Sequence, residues 1–245
     1  MSRALWSSAA LLLLSACANY VDIAVETPLQ SKIDVTRFRR ALVAGFLVDQ
    51  SGATDVDLQS ETVRLLENQL KTRTHLQVLE ADRPPLTDAL EKAEADAPEG
   101  TATKEQTKVT GDHILQDATF WRGVGEEFQS PLIISGRMGF EVSSRSGFQS
   151  EERVVNDPVT AQSRMVRGNR FMERKAYNLT AEFYFLDGST GAVLHRERFS
   201  EEVLYGEDQK VSPLSAYFEL MDRLLPNFLG IVSPQRIRGQ RILLR

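Results

Sequence analysis

The stretch Ala41-Leu-Val-Ala-Gly-Phe-Leu-Val48 is a continuous apolar run. Arg40 precedes it, and the turn-forming residues Asp49-Gln-Ser-Gly52 follow it. A run of this length between polar ends is typical of a strand that is buried on both faces, because neither face then meets water. We therefore predict a central strand here, in a sheet that carries helices on its faces.

The next residues predict a helix and a second strand. Asp55–Arg73 places Leu58, Thr62, Leu65, Leu66 and Leu70 on one side at helical spacing, and His75–Leu79 has the length of a short strand. This β-α-β order places a helix on one face of the sheet.

The carboxy-terminal half has the alternation of apolar and polar residues that antiparallel strands show. Pro131–Val142 and Tyr177–Phe185 alternate in this way, Asp187–Gly191 has the composition of a hairpin loop, and Ala192–Phe199 can return antiparallel. We therefore predict a β-meander.

Four other segments complete the prediction of the fold. Residues 97–112 have almost no apolar content and predict a flexible, exposed loop, whereas Ile114–Phe128 predicts one helix. Residues 213–232 predict an amphipathic helix that Pro226 kinks or ends. Tyr20–Pro28 alternates and predicts a strand or an extended lead-in.

The first residues have the proportions of a signal peptide, with Arg3 before an apolar stretch that is too short to span a membrane. Leu14-Ser-Ala-Cys17 follows and resembles the lipobox of bacterial lipoproteins. In that family the cysteine thiol is acylated and the segment before it is removed. The resemblance implies a signal peptide over residues 1–16 and a lipid attached to Cys17.

The same resemblance implies an organisation and a location for the chain. Residues 17–30 would be a lipidated tether, and residues 31–245 a single periplasmic α/β domain. Ala18, rather than aspartate, follows the cysteine. In enteric lipoproteins this pattern implies the periplasmic face of the outer membrane, where the acyl chains on Cys17 enter the lipid.

Composition and motifs point away from catalysis. The 29 basic residues against 34 acidic ones predict no nucleic-acid partner, and a single cysteine excludes an internal disulfide. His75, His113 and His195 have no other histidine or cysteine at ligand spacing, and Gly123-Val-Gly125 lacks the third glycine of a dinucleotide loop. We therefore expect no metal, no cofactor and no catalytic residue, and a protein that is not an enzyme.

The order of motifs resembles a group of envelope lipoproteins. The matching stretches are Leu42–Val48, Glu61–Asp82, Phe120–Gly136 and Asp187–Gly191. The order is similar to that of the curli-secretion-channel family, the penicillin-binding-protein-activator lipoproteins and the amino-terminal domain of the Tol-Pal translocation protein. The resemblance implies an α/β fold, with helices packed on a mixed sheet in an anticodon-binding-domain-like sandwich.

An Arg-rich insertion at about residues 145–175 is the most distinctive polar feature, and we expect it to be an extended polar β-hairpin. The candidate partner-contact residues are Arg164, Arg167, Arg170, Phe171 and Arg174. The spacing of the arginines would align them on one face if the segment were helical, and the alternative is an exposed loop whose arginines pair with nearby acids.

These observations favour a lipid-anchored binding or assembly module of a cell-envelope machine, with an envelope protein as its partner. The alternative is a subunit of an oligomeric outer-membrane secretion channel of the curli type, and a homo-oligomer is possible. Charges scattered through 147–175 argue against the channel, because a membrane strand needs about nine to eleven residues with one apolar side.

Overall fold

The computed structural model describes residues 20–51, 57–95, 104–156, 162–206 and 208–244. Its elements are β1 (Tyr20–Leu29), β2 (Arg40–Ser51), α1 (Leu58–Arg73), β3 (Gln77–Leu79), α2 (Pro85–Ala95), α3 (Lys104–Gln116), α4 (Ala118–Glu127), β4 (Leu132–Asn156), β5 (Ser163–Asp187), β6 (Val193–Gly206), α5 (Pro213–Val232) and β7 (Gln235–Leu244). The chain divides into two compact units, residues 1–31 with 234–245, and residues 32–233.

The smaller unit contains the antiparallel pair β1 and β7. Tyr20 lies opposite Leu244, and Leu29 lies opposite Gln235. Part of the expected tether is therefore a strand, and the last residues belong to this unit rather than to a single domain over 31–245. Glu26 links the two strands through ion pairs to arginines of β7.

The larger unit has a five-stranded mixed sheet in the order β3-β2-β4-β5-β6. β2 runs parallel to β3 and β4, and β4, β5 and β6 form an antiparallel meander. The prediction of a mixed sheet with helices packed on it is confirmed. Ala41–Phe46 is buried in β2, and Gly45 adopts a positive φ where the register with β4 shifts. The buried Ser135 hydroxyl donates to the Gly45 carbonyl at 2.9 Å.

Helices cover both faces of this sheet. α1 and α5 pack with the larger hydrophobic cluster, which includes Phe140, Phe183 and Phe228, and α2, α3 and α4 pack with a smaller one around Trp121. The predicted inward residues of β5 from Tyr177 to Phe185 all lie in the larger cluster. This α/β sandwich follows from an alternation that gives each strand one apolar side toward each helical layer.

Two predictions were wrong in detail, the single helix over Ile114–Phe128 and the extent of the loop before it. The expected single helix over Ile114–Phe128 is divided at Asp117, whose carboxylate accepts from the backbone amides of Thr119 and Phe120 and begins α4. α3 begins at Lys104, so residues 104–112 are helical rather than a loop, and residues 96–103 lie outside the described residues. α5 continues through Pro226 to Val232, so that the proline does not end the helix, because buried residues on both sides of it outweigh the hydrogen bond that it loses.

The predicted hairpin loop Asp187–Gly191 packs closely on α4. The Gly188 amide donates to the Pro131 carbonyl at 3.0 Å, and the Gly191 amide donates to the Asp187 carbonyl at 2.7 Å. Gly125 of α4 lies directly against Gly188, so that a side chain on Gly125 would meet the Gly188 backbone, whereas a side chain on Gly188 would meet Pro131. The second glycine of the Gly-Val-Gly sequence therefore serves packing.

Candidate interaction arm

β4 and β5 continue as a two-stranded ribbon beyond their other partners. β2 pairs with β4 as far as Glu141, and β6 pairs with β5 from Arg174 onward. Residues 145–156 and 163–174, which we call the arm, pair with each other, and in the part of the chain that the structure describes only Arg174 among them has a further strand partner, Gly206 of β6. At about 3.4 Å per residue the arm is roughly 40 Å long. The extended polar hairpin expected from the sequence is confirmed.

The arginines of the arm do not share one face. The segment is neither helical nor a loop, and successive residues of a strand point to opposite sides. Arg164, Arg170 and Arg174 therefore lie on one side of the ribbon, and Arg167 and Phe171 on the other. The shared face that a helix would have given the four arginines is therefore absent, because spacings of three and four residues mix the two faces of a strand. That the five residues contact a partner stays a prediction.

One side of the arm, which we call the basic face, collects five arginines from both strands. They are Arg145, Arg153, Arg164, Arg170 and Arg174. Glu151 is the carboxylate on this side. Arg145 pairs with Glu202 of β6 at 2.8 Å, whereas Arg153, Arg164 and Arg170 are exposed and form no ion pair within the described residues. Like charges on one face raise the local positive potential, which favours an anionic partner.

The opposite side, which we call the apolar face, carries four exposed apolar side chains. Their exposed fractions are 76% for Phe148, 62% for Val154, 71% for Met165 and 58% for Phe171. The two phenylalanine rings meet edge to face with centroids 5.4 Å apart. Of these four residues the sequence analysis identified only Phe171. The register of the hairpin identifies the other three, because it pairs Phe148 with Phe171 and Val154 with Met165.

An ion pair interrupts the apolar face. Arg167 and Glu152 lie opposite each other, with 2.5 Å between the guanidinium Nη2 and carboxylate Oε1 atoms. Ser150 and Asn169 form the polar row next to them. The interruption is therefore neutral overall, in contrast to the basic face.

An open cleft of about 620 Å³ lies where the arm joins the body. Val142 and Val211 contribute apolar lining, and Glu173, Lys175 and Lys210 contribute charges of both signs. Ser144 donates to Glu173 at 2.9 Å across the arm. The mixture of signs gives this cleft no clear ligand preference.

The histidines lie in separate elements. His75 precedes β3, His113 is in α3 and His195 is in β6. His195 contacts Glu197 at 2.9 Å, and Lys32 donates to the same carboxylate. Partial burial raises the pKa of Glu197, but the hydrogen bonds from His195 and Lys32 outweigh it and lower that pKa overall. Within the described ranges, three or more His, Cys, Asp or Glu side chains nowhere gather in a way that could hold a metal ion.

The predicted lipid attachment residue, Cys17, lies outside the described residues. Among the described helices, none has the length and apolar character to span a membrane.

No protein-family model matches this chain, and no curated protein matches it. Two solved structures are similar in part. Lipoprotein GNA1162 from Neisseria meningitidis has 12% identity, with 78% of this chain and 98% of that chain covered at a TM-score of 0.34. A chain described as a neuraminyllactose-binding hemagglutinin homologue from Helicobacter pylori has 9% identity, with 82% and 84% covered and the same TM-score of 0.34. Similarity at this level carries no argument about function.

Proposed function

We propose that this chain is a non-enzymatic, lipid-anchored binding module of a cell-envelope machine, and that the basic face of the arm holds an acidic protein partner. The observation that carries this proposal is the group of exposed arginines Arg153, Arg164 and Arg170 on one side of the ribbon. Guanidinium groups bind carboxylates through two parallel hydrogen bonds, and a group of them on one face favours a partner with matching carboxylates.

The shape of the arm supports this role. A ribbon about 40 Å long reaches beyond the helices that cover the sheet, so a partner could contact it without displacing the core. An isolated two-stranded ribbon is also marginally stable in water, so binding would stabilise it.

The anchor in this proposal is the acylated Cys17, at the periplasmic face of the outer membrane. Its support is the Leu14-Ser-Ala-Cys17 motif after a short apolar segment. Metabolic labelling with an alkyne analogue of palmitate should mark the protein, and Cys17→Ser should abolish the label and release the protein from the outer-membrane fraction. Labelling that survives Cys17→Ser would contradict the anchor.

The charges on both sides of the arm argue against the secretion-channel alternative. Strands that face lipid need one side without charges, but the Glu152–Arg167 pair lies on the apolar face and the arginines lie on the other. We therefore do not propose this function.

The partner site can be tested by photocrosslinking in cells. A photoreactive amino acid at Arg164 should capture the partner, whereas the same group at Asn169, on the opposite side of the same strand, should capture much less. For the second variant the photoreactive group is placed at Val166 of the basic face. Capture of the partner should then fall about tenfold or more in the triple variant Arg153→Gln, Arg164→Gln and Arg170→Gln. A charge-assisted hydrogen bond contributes ~1.5–3 kcal/mol, so losing several has at least this effect.

A matched control removes the same number of charges from exposed positions outside the arm. Arg39→Gln, Arg73→Gln and Arg198→Gln together give the same net charge. Capture should stay near the wild-type level in this variant. Equal loss in both triple variants would show that only overall charge matters, and would contradict the basic face as the partner site. A captured protein whose crosslinked surface is not acidic would contradict it as well.

A further inference from the structure

The apolar face has a symmetric order along the arm. Its four successive rows are Phe148 with Phe171, Ser150 with Asn169, Glu152 with Arg167, and Val154 with Met165. The order is therefore apolar, polar, polar, apolar. Reversing the direction of the arm leaves this order unchanged, which is the property of a surface that can pack against a copy of itself.

From this order we propose that two copies of the chain pack the apolar faces of their arms against each other, with the arms antiparallel. A two-fold axis between the two polar rows then places each phenylalanine row on the partner's Val154 and Met165. The polar rows meet in the middle, where Ser150 and Asn169 can hydrogen-bond to the partner's ion pair. This surface is distinct from the basic face, and the inference does not rest on the proposed function.

Helices on the same side of the sheet select the antiparallel arrangement. The apolar face continues the side of β4 and β5 that carries α1 and α5, since Phe140 of β4 meets Tyr217 of α5 edge to face. Two sheets pack about 10 Å apart, and a helix is itself about 10 Å thick. Parallel arms would bring the helical layers of both copies into the same space. Antiparallel arms place the two bodies at opposite ends.

The distances along the arm allow this packing. The symmetry axis falls near residue 151, about nine residues or ~30 Å from the base at Val142. The described part of the partner's β4 ends at Asn156, about five residues or ~17 Å beyond the axis, which leaves ~13 Å before Val142.

Charge favours a second copy over a charged partner on this face. The Glu152–Arg167 pair is neutral overall, and Glu173, which lies opposite Ser146, adds one carboxylate near the base of this face. The antiparallel packing places this row on the partner's Asn156 and Ser163, which carry no charge. The basic faces of the two copies repel each other, so the apolar faces are the sides of the arms that two copies can share.

The exposed area sets the expected affinity. Four large side chains that are 58–76% exposed present roughly 500 Å² per copy, if a large side chain offers about 150–250 Å². A dimer would then bury about 1,000 Å², the lower limit for a specific interface. We therefore expect a reversible dimer with a Kd on the order of micromolar.

Sedimentation equilibrium measures this dimer directly. The full chain would carry Cys17→Ser, so that no acyl chain drives association. The chain should pass from monomer to dimer between about 1 and 200 µM. Val154→Ser removes one apolar contact from each half of the symmetric interface and should weaken the dimer at least ~10-fold, which corresponds to ~1.4 kcal/mol. The matched control Val155→Ser changes the adjacent residue, which points to the basic face, and should leave the Kd unchanged.

A charge pair provides a second test. Glu152→Arg places like charges in the middle of the interface and should weaken the dimer, whereas the exchange Glu152→Arg with Arg167→Glu restores a neutral row and should restore the Kd. The far-ultraviolet circular dichroism of each variant checks that the body stays folded.

Three results would overturn the proposal. These are a monomer at every concentration, an equal loss of association in Val154→Ser and Val155→Ser, and a monomer whose binding to phosphatidylethanolamine–phosphatidylglycerol vesicles falls in Val154→Ser only. The last result would assign the apolar face to a lipid surface.

Discussion

In Gly125→Ala the local effect and the tertiary effect on the free energy of unfolding have opposite signs. Gly125 lies in α4, where alanine would favour the helix by ~1 kcal/mol through its higher propensity. An added Cβ would, however, lie 2.7 Å from Gly188 Cα and closer still to the Gly188 carbonyl group. The carbonyl carbon would lie 2.4 Å and the carbonyl oxygen 1.6 Å from the added Cβ. Carbon atoms make favourable contact at about 3.5–4.0 Å, so the loop would have to move by ~1.5–2 Å.

That movement is opposed by several hydrogen bonds. The Gly188 amide donates to Pro131, and the Ser130 amide donates to Gly125 itself at 2.7 Å. Overpacking of a tight site costs about 1–3 kcal/mol and occasionally more. We expect the clash to exceed the gain in propensity, so that Gly125→Ala lowers the free energy of unfolding by ~1–2 kcal/mol. For a domain of this size the midpoint temperature should fall by ~2–8 °C.

Gly123→Ala is the matched control, because Gly123 lies in the same helix and a Cβ there would meet nothing within 4 Å. It should raise the free energy of unfolding by ~0.5–1 kcal/mol. Urea denaturation followed by circular dichroism measures both values. A Gly125→Ala variant that is as stable as Gly123→Ala would refute the close packing of the hairpin loop on α4.

Two further predictions concern buried polar groups. Thr62→Val should lower the free energy of unfolding by ~1–3 kcal/mol, because it leaves the buried Tyr217 hydroxyl without its partner at 2.6 Å. Adding Tyr217→Phe should recover part of this lost stability, and urea denaturation measures both variants. Burial raises the pKa of Asp187, but hydrogen bonds from Ser189 outweigh it and hold the pKa below 3.8. The stabilisation is therefore present above pH 3.8 and lost as the pH falls below it, so wild type and Asp187→Asn should differ more in unfolding free energy at pH 7 than at pH 3.

Much of the sheet could be predicted from the sequence because alternation reports directly on burial. Tyr177–Phe185 and Pro131–Val142 alternate, and their apolar sides do face the same core. Helix boundaries that depend on a single polar side chain were harder to predict from the sequence. The division of α3 from α4 depends on the Asp117 carboxylate accepting two backbone amides, which hydrophobic periodicity does not register.

The candidate site was predicted in composition but not in arrangement. The Arg-rich character of the arm is plain in the sequence, yet Arg167 differs from its neighbours in facing the other side. Phe148 and Val154 come from the opposite strand and join Phe171 and Met165 only through cross-strand register. Register depends on how two distant segments align, and a shift of one residue would exchange every side chain between the faces.

The amino-acid sequence by itself determined the class of fold, the polar hairpin and the motif around Cys17, because burial pattern and short motifs are local properties of the chain. Only the tertiary structure decided that three exposed arginines share a face, that an apolar face with a symmetric order lies behind them, and that Gly125 must remain a glycine. Each of these depends on a distance between residues far apart in sequence. Such distances are set by how strands pair and how helices pack, and no single segment encodes them.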